Sequence, residues 1–388
     1  MIGRDLPITI IGAGLGGLTA ALALQRAGFR PVVLEQAAKL GDVGAGISVT
    51  PNASKGLESL GLGAALAANA QMPPQQIIRD GASDAQLMVI DRSDVRQRYG
   101  APYYMMHRAE LHAILVAAVT ANDAGAIRTG QKLEAIAIEN GGARLDFAGG
   151  EPVGAAIVIA ADGARSLART QVFGDAGASF TGHIAWRLLV PADDAPAEAR
   201  LPGSVVWTGA ERSFVRYPVR GGALINCVGL TRSGGWRGEG WSQTVPAAEM
   251  AAEFAGFVPA VTDLIAAAPG GMVASWGLFV RPPATRIVAG PVALLGDAAH
   301  PMLPFMGQGA AMAIEDGVVL GRCFAQGATP IEARARYEAA RLERCQFIQA
   351  ESAAGADRLQ RAGPADKRLD RNEDALGIFD YDPATAAI

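Results

Sequence analysis

The residues whose types and spacing could do chemistry fall in three ordered stretches. The first is Gly12-Ala13-Gly14-Leu15-Gly16-Gly17, with glycine at 12, 14 and 17. In this pattern the first glycine permits a tight turn and the second lets backbone amides approach a pyrophosphate. The third, Gly17, lets the following helix pack on the preceding strand. A helix that begins there presents its positive N-terminal end to phosphate charge. Glu35 stands where an acid accepts hydrogen bonds from a ribose and repels a 2′-phosphate. The second stretch is Ala161-Asp162-Gly163, with Ser166 and Arg169 just beyond. The third runs Gly296-Asp297-Ala298-Ala299-His300-Pro301, then Pro304, Gly307-Gln308-Gly309 and Asp316.

These stretches need elements to hold them. Residues 6–11 read as a buried parallel strand. Leu18, Ala21, Leu22 and Leu24 follow at helical spacing until Gly28 stops the helix, and 31–35 is a second strand. That is a β-α-β unit within about 30 residues. A helix starts at Pro51 and runs to about Leu60; another covers 109–121. Strands are expected near 133–138, 143–147 and 156–160. Residues 180–280 differ, being rich in Trp, Val, Gly and Arg with β-like runs at 213–218 and 223–230, and read as an antiparallel sheet. A buried strand at 292–295, a helix from 309 to 323 and an amphipathic helical stretch at 331–361 follow. The last 25 residues are charged and are expected to be loosely held.

Composition narrows the class. Of 388 residues half are apolar and 19% charged, enough for a large core and long enough for two intertwined lobes. A net charge of −4 without a long basic run argues against nucleic acid. The three cysteines, Cys227, Cys323 and Cys345, form no CxxC pair and show no zinc spacing. Neither a signal peptide nor an apolar run of membrane-spanning length is read, so a soluble, cytoplasmic protein is expected.

Taken together, the three motifs resemble those of the class A flavoprotein aromatic hydroxylases, over nearly the whole chain. Within that class the chain looks most like the salicylate hydroxylase, 3-hydroxybenzoate 6-hydroxylase and 6-hydroxynicotinate 3-monooxygenase group. Arg98-Tyr99-Gly100, His107 through His112, and His300 through Pro304 with Gly307-Gln308-Gly309 carry that closer likeness. The resemblance implies FAD as cofactor and NADH or NADPH as transient co-substrate. A small aromatic substrate would be hydroxylated by O2 through a flavin C4a-hydroperoxide. It implies an α/β fold, with a three-layer Rossmann-like FAD-binding lobe, an antiparallel-sheet substrate lobe and C-terminal helices. The FAD-binding domain would comprise 1–75, 100–180 and 281–330, the substrate-binding domain 76–99 and 181–280, and the C-terminal helical segment and tail 331–388. A homodimer would be in keeping with it. Gly12, Gly14, Gly17, Glu35, Arg108, Asp162, Asp297, Gly307, Gln308 and Gly309 would hold FAD. Asp297 would accept a ribityl hydroxyl. Amides of the Gly307–Gly309 loop would stabilise anionic reduced flavin. Asp162 also reads as a helix cap, and Arg108 as a surface ion pair. Only one dinucleotide fingerprint is present, unlike two-fingerprint flavin enzymes.

The substrate end is less determined. On the run Arg212-Ser213-Phe214-Val215-Arg216-Tyr217-Pro218, strand alternation puts Ser213, Val215 and Tyr217 on one face. In the resembled group a histidine stands where this chain has Ser213, and the hydroxynicotinate enzymes carry another at Ser48. Ser213 is no base at neutral pH, yet it can hydrogen-bond a substrate or hold a water. Tyr217, Ser213 and Pro304 are the candidate catalytic residues, and Ser48, Ser213, Tyr217 and Pro304 the candidate substrate contacts. Arg216 and His107 read as structural, and His300 as a cap on its loop. His183 could supply a base if folded inward. Arg187 would hold the flavin or pair with an acid. Two alternatives stay open: a related FAD monooxygenase acting on a non-benzenoid substrate such as a purine, quinolone or tetracycline, and a binding protein of this fold without redox chemistry.

Overall fold

The computed structural model describes residues 2–41, 44–232, 234–236, 242–360 and 367–388. Its first sheet has six strands in the order Val288–Ala289, Val292–Leu294, Ile157–Ala160, Ile8–Ile11, Val32–Leu34, Ile127–Arg128. Ile8–Ile11 lies parallel to both its neighbours and is buried at every residue. Its unbroken apolar run is what a strand covered on both faces requires.

Helix Leu15–Arg26 follows at once and packs along helix Gly309–Gln326. The close approach depends on glycine in the second helix. A Cβ on Gly317 would lie 2.7 Å from the Ala20 nitrogen, and one on Gly321 would lie 2.5 Å from the Ala23 Cβ. The two sequence-distant glycine loops are thereby carried on the N-termini of two helices locked side by side. Helices Pro51–Ser59 and Arg108–Asn122 and strands Leu133–Glu139, Gly142–Phe147 and Ile157–Ala160 form where their patterns predict.

The second sheet has eight strands, in the order Ser242–Pro246, Met272–Val280, Ser179–Pro191, Leu224–Arg232, Arg212–Val219, Ser204–Gly209, Gln75–Asp80, Gln86–Asp91. It is antiparallel with one exception, which corrects the sequence expectation: Ser204–Gly209 runs parallel to Gln75–Asp80. Those strands are far apart in the chain, so no hairpin forces them to alternate. One face packs Trp186, Leu188, Phe214, Ile225 and Cys227 against helices Ala247–Glu253 and Pro259–Ala266. The other face is turned toward the first sheet. A two-stranded ribbon, Gly46–Val49 with Tyr104–His107, stands between the two sheets.

Helix Pro330–Gln360 runs along the body, and the described part of the tail, 367–388, packs back onto it. This overturns the expectation of a loosely held end. Ile378 and Phe379 are fully buried, with Phe379 edge-on to Tyr99 and Tyr103. Lys55 donates to the Phe379 carbonyl and Arg344 to that of Ile378. The tail's charges have partners too: Arg92 lies 3.2 Å from Asp374, and Arg371 pairs with Glu351.

Candidate active site

A cavity of about 490 Å³ lies between the two sheets, within the roughly 300–1,000 Å³ usual for ligand sites. At one end it is lined by Gly14, Gly16, Gly17, Arg108, Gly163 and Asp297, and at the other by strands of the second sheet.

At the first end the backbone is bare. A Cβ on Gly17 would collide with the Gly12 carbonyl oxygen, whereas Gly14 and Gly163 have no neighbour within 4 Å of that position. Helices Leu15–Arg26 and Gly309–Gln326 both begin without a side-chain cap, so their first amides are unpaired by side chains where they meet the cavity. Glu35 accepts from Ala13 N and Ala37 N, both at 2.8 Å, which fixes the loop that carries Gly14. His112 reaches the Ala13 carbonyl at 2.8 Å. His107 caps its helix by accepting from Ala109 N at 3.2 Å, the structural role its position predicts.

Asp297 opens onto the cavity, through which solvent reaches it. Burial pushes its pKa up, and His300 and Arg108 oppose that. Burial likewise lowers the Arg108 guanidinium, with Asp297 opposing. Asp162 accepts from Leu167 N at 2.8 Å and Ala168 N at 3.3 Å, so it ties down helix Leu167–Phe173. Its Oδ1 is buried without a hydrogen-bond partner among the described residues. Gln308 is turned into the core, hydrogen-bonded with Asn52, and its side chain does not line the cavity. Gly12, Glu35 and Asp162 also stand behind the wall rather than in it.

Behind Asp297 lies a buried ionic network that the sequence showed only at Asp316 and His300. Asp316 accepts from Gly296 N at 2.9 Å, pairs with His300 Nε2 at 2.6 Å and with Arg341 Nε at 2.7 Å. Arg341 also meets Glu315 at 2.7 Å, as does Arg344. Asn52 donates to Glu315 at 2.6 Å. Burial opposes the charge on Asp316, but His300 and Arg341 outweigh it and hold the carboxyl far below its usual range. Burial also opposes a charged His300, yet Cys345 and Asp316 raise it well above its usual value. The network pins Gly296 and therefore the turn carrying Asp297. Its key residue, Arg341, sits on a helix whose polar pattern is that of any solvated face, so nothing in the sequence singles it out.

At the second end, Ser213, Val215 and Tyr217 all line the cavity, as alternation requires. Phe214 and Arg216 point the other way. Arg216 donates to the carbonyls of Leu201, Gly203 and Glu198, and burial lowers its pKa to about 10. It is structural, as expected. Gly46 must be glycine here: a Cβ would fall 2.5 Å from the Tyr217 ring and 2.6 Å from Asn226 Cγ. Burial holds the Tyr217 phenol protonated, with Arg187 opposing. Arg187 lines the cavity, with its guanidinium 4.5 Å above the Trp276 ring. Its Nε lacks a hydrogen bond, and no carboxylate pairs with it among the described residues. Ser48 lines the cavity beside Tyr103, and Pro304 lies on it with its carbonyl accepting from Gly307 N at 3.0 Å. His183 does not reach it; the ring packs edge-on to Phe305 and contacts Thr181. Gln76, Tyr103, Ser204 and Glu373, unremarked in the sequence, complete the polar wall.

Two uncapped helix N-termini, glycines open to a cavity and an accessible carboxylate fit an extended dinucleotide with a polyol bridge, which is FAD. The neighbouring polar pocket makes the class that of flavin-dependent oxidoreductases. Comparison with known proteins agrees. The family model described as "FAD binding domain" matches residues 5–352. The chain is 36% identical to 3-hydroxybenzoate 6-hydroxylase 1 of Aquipseudomonas alcaligenes, over 92% of this chain and 90% of the relative. It is 36% identical to 6-hydroxynicotinate 3-monooxygenase of Bordetella bronchiseptica, over 97% and 95%. The fold matches Klebsiella pneumoniae HpxO, solved with FAD and uric acid, at a TM-score of 0.83, 26% identity, and 97% and 96% coverage. The chain belongs to the FAD binding domain family and is an FAD-dependent monooxygenase of the class A aromatic hydroxylases. The resemblance read from its motifs holds.

Proposed function

We propose that this enzyme hydroxylates a hydroxylated aromatic or N-heteroaromatic carboxylic acid, using NADH or NADPH and O2. One observation carries the reading: Arg187, a cation without a carboxylate partner among the described residues, faces a cavity that begins at the dinucleotide glycines. A buried, unpaired guanidinium is costly, and a substrate carboxylate relieves that cost. Bound FAD supplies reduction by the nicotinamide and activation of O2.

The chain's own residues do the rest. Amides at Gly14 and Gly17 and at Gly307–Gly309 hold the pyrophosphate and the flavin ring, with Asp297 and Arg108 on the sugar and ribityl parts and Glu35 bracing the first glycine loop from behind. Arg187 anchors the substrate carboxylate. Ser48, Ser213, Tyr217 and the Pro304 carbonyl orient the ring, while Val215, Val228 and Leu230 exclude water from it. In this reading the substrate-binding unit is 76–99 with 181–280, set into the FAD-binding segments. The three cysteines are free and buried, which suits the reducing cytoplasm.

The test is turnover of the FAD-loaded protein with 3-hydroxybenzoate, 6-hydroxynicotinate and 3-amino-4-hydroxybenzoate, following NADH and NADPH oxidation with hydrogen peroxide measured alongside. An acid that speeds oxidation and yields hydroxylated product supports the proposal. Peroxide alone with every acid overturns it. Uric acid belongs in the panel because the HpxO structure holds it; turnover of that compound alone would move the substrate to the purines.

A further inference from the structure

Apart from Asp297, Glu373 is the one carboxyl group lining the cavity among the described residues. It arrives from the C-terminal tail, at the end of the cavity that also holds Gln76, Tyr103 and Ser204. The tail is fixed there on both sides of it. Upstream, Leu369 is buried against Ile78 and Val206 of the second sheet. Downstream, Ile378 and Phe379 are buried beside Tyr103.

Glu373 keeps its acceptor capacity. Among the described residues its ion pair is to Arg92, at 3.7 Å, and Arg92 is shared with Asp374 at 3.2 Å and Gln76 at 3.3 Å. Among the described residues no other residue donates a hydrogen bond to its carboxylate, which only its own backbone amide approaches. The other polar groups near this end, the Gln76 amide among them, accept hydrogen bonds as neutral groups and carry no negative charge. Burial holds the Tyr103 and Tyr217 phenols protonated, and Ser48, Ser204 and Ser213 are hydroxyls, which are no bases at neutral pH.

The geometry points to Glu373 as the acceptor for a ring hydroxyl or ring N–H of the substrate, a recognition group supplied by the C-terminal tail. This assignment rests on the aromatic-acid reading above and deepens it. Arg187 takes the carboxylate; Glu373 selects rings that carry a donor and excludes a second carboxylate at that position. A carboxylate on a phenolic hydroxyl also polarises it toward the oxyanion and raises electron density in the ring, which favours attack by an electrophilic oxygen.

The charged groups facing Glu373 are Arg92 from the loop after strand Gln86–Asp91, Arg358 from the long helix and Asp374 beside it, with the Tyr103 phenol. Burial raises its pKa above the ordinary carboxyl range, and Arg92 opposes that. The acceptor is the ionised form. Preference for a hydroxylated ring therefore strengthens as pH rises through this pKa and fades below it.

The experiment uses the full-length FAD-loaded enzyme with 3-hydroxybenzoate and benzoate as probes. Binding is read from the perturbation of flavin absorbance across pH in the wild type, Glu373→Gln and Glu373→Leu, with flavin content and Tm confirming the fold. Wild type binds the hydroxylated acid roughly tenfold or more tightly than benzoate. Both variants keep benzoate affinity and lose that preference together with its pH dependence. Variants that keep the preference overturn the assignment, as do variants that lose both probes equally, since the tail is then only structural. A wild type that binds neither probe overturns instead the aromatic-acid reading on which it rests.

Discussion

The two ends of the cavity are built on different principles. At the nucleotide end, recognition comes from backbone: amides at two helix N-termini, and glycines that let a ligand approach. Backbone recognition demands particular residues at particular spacings, because only glycine fits Gly17 against the Gly12 carbonyl. At the sheet end, recognition comes from side chains gathered from five segments. Gln76, Tyr103, Arg187, Ser213 and Glu373 share no local pattern. The first end is constrained by geometry, the second only by chemistry, so the second is free to change substrate while the first stays fixed.

Substitutions sharpen that contrast. The largest effect falls on Gly17→Ala, whose new methyl collides with backbone; flavin retention is lost and the loop destabilised, read from the flavin-to-protein ratio of the purified protein. Gly14→Ala meets no protein atom, so it weakens FAD while leaving Tm of the apoprotein near wild type. Equal loss of fold in both would break the account of this end.

Next comes the network behind Asp297. Arg341→Leu takes one of two cationic partners from each of the buried Glu315 and Asp316, leaving them Arg344 and His300, and costs about 3–5 kcal/mol by denaturant unfolding. Asp316 and Glu315 both have lowered pKa values. Burial opposes this, but His300 and Arg341 prevail for Asp316, and Arg341 and Arg344 for Glu315. Their stabilisation is therefore full above the unfolded carboxyl range, roughly pH 4, and drains away as pH falls below it. Arg341→Leu shrinks that acid limb, which a pH series of unfolding midpoints measures.

At the sheet end the effects are smaller and confined to substrate. Arg187→Leu weakens aromatic acids by roughly 10- to 100-fold, as expected for losing a charged hydrogen bond, without lowering FAD content. Removal of FAD along with the acid would show that Arg187 serves the flavin instead. Tyr217→Phe is milder still, at roughly 2- to 10-fold in KM, because the ring continues to fill the space beside Gly46 and only the hydroxyl goes.

The same contrast explains what the sequence revealed. Gly12 to Gly17, Asp297 and Gly307 to Gly309 are contiguous motifs, and the element that carries each follows from apolar periodicity. Alternation along Arg212–Val219 was enough to send Ser213 and Tyr217 to the cavity and Arg216 away from it. Asp162 and Gln308 have the right types, but the fold spends their side chains on a helix end and on Asn52. Arg341 and Glu373 escaped notice because helix and tail charges ordinarily face solvent. Their partners, Asp316 and Arg92, are 25 and 281 residues away in the chain. The tail looked loose for the same reason: its charge was visible, while the buried side chains Leu369, Ile378 and Phe379 were too few and too scattered to make a pattern.

The central claim is that one cavity brings the flavin and an aromatic acid together for oxygen insertion. Its most direct test is single-turnover reaction of the reduced, acid-bound enzyme with 18O2, followed by mass analysis of the product. The account predicts one labelled oxygen in the ring product, and a lower yield of labelled product from Arg187→Leu at acid concentrations that just saturate the wild type. Unlabelled hydroxylated product, or unchanged acid with all the label in peroxide for every acid tried, would contradict it.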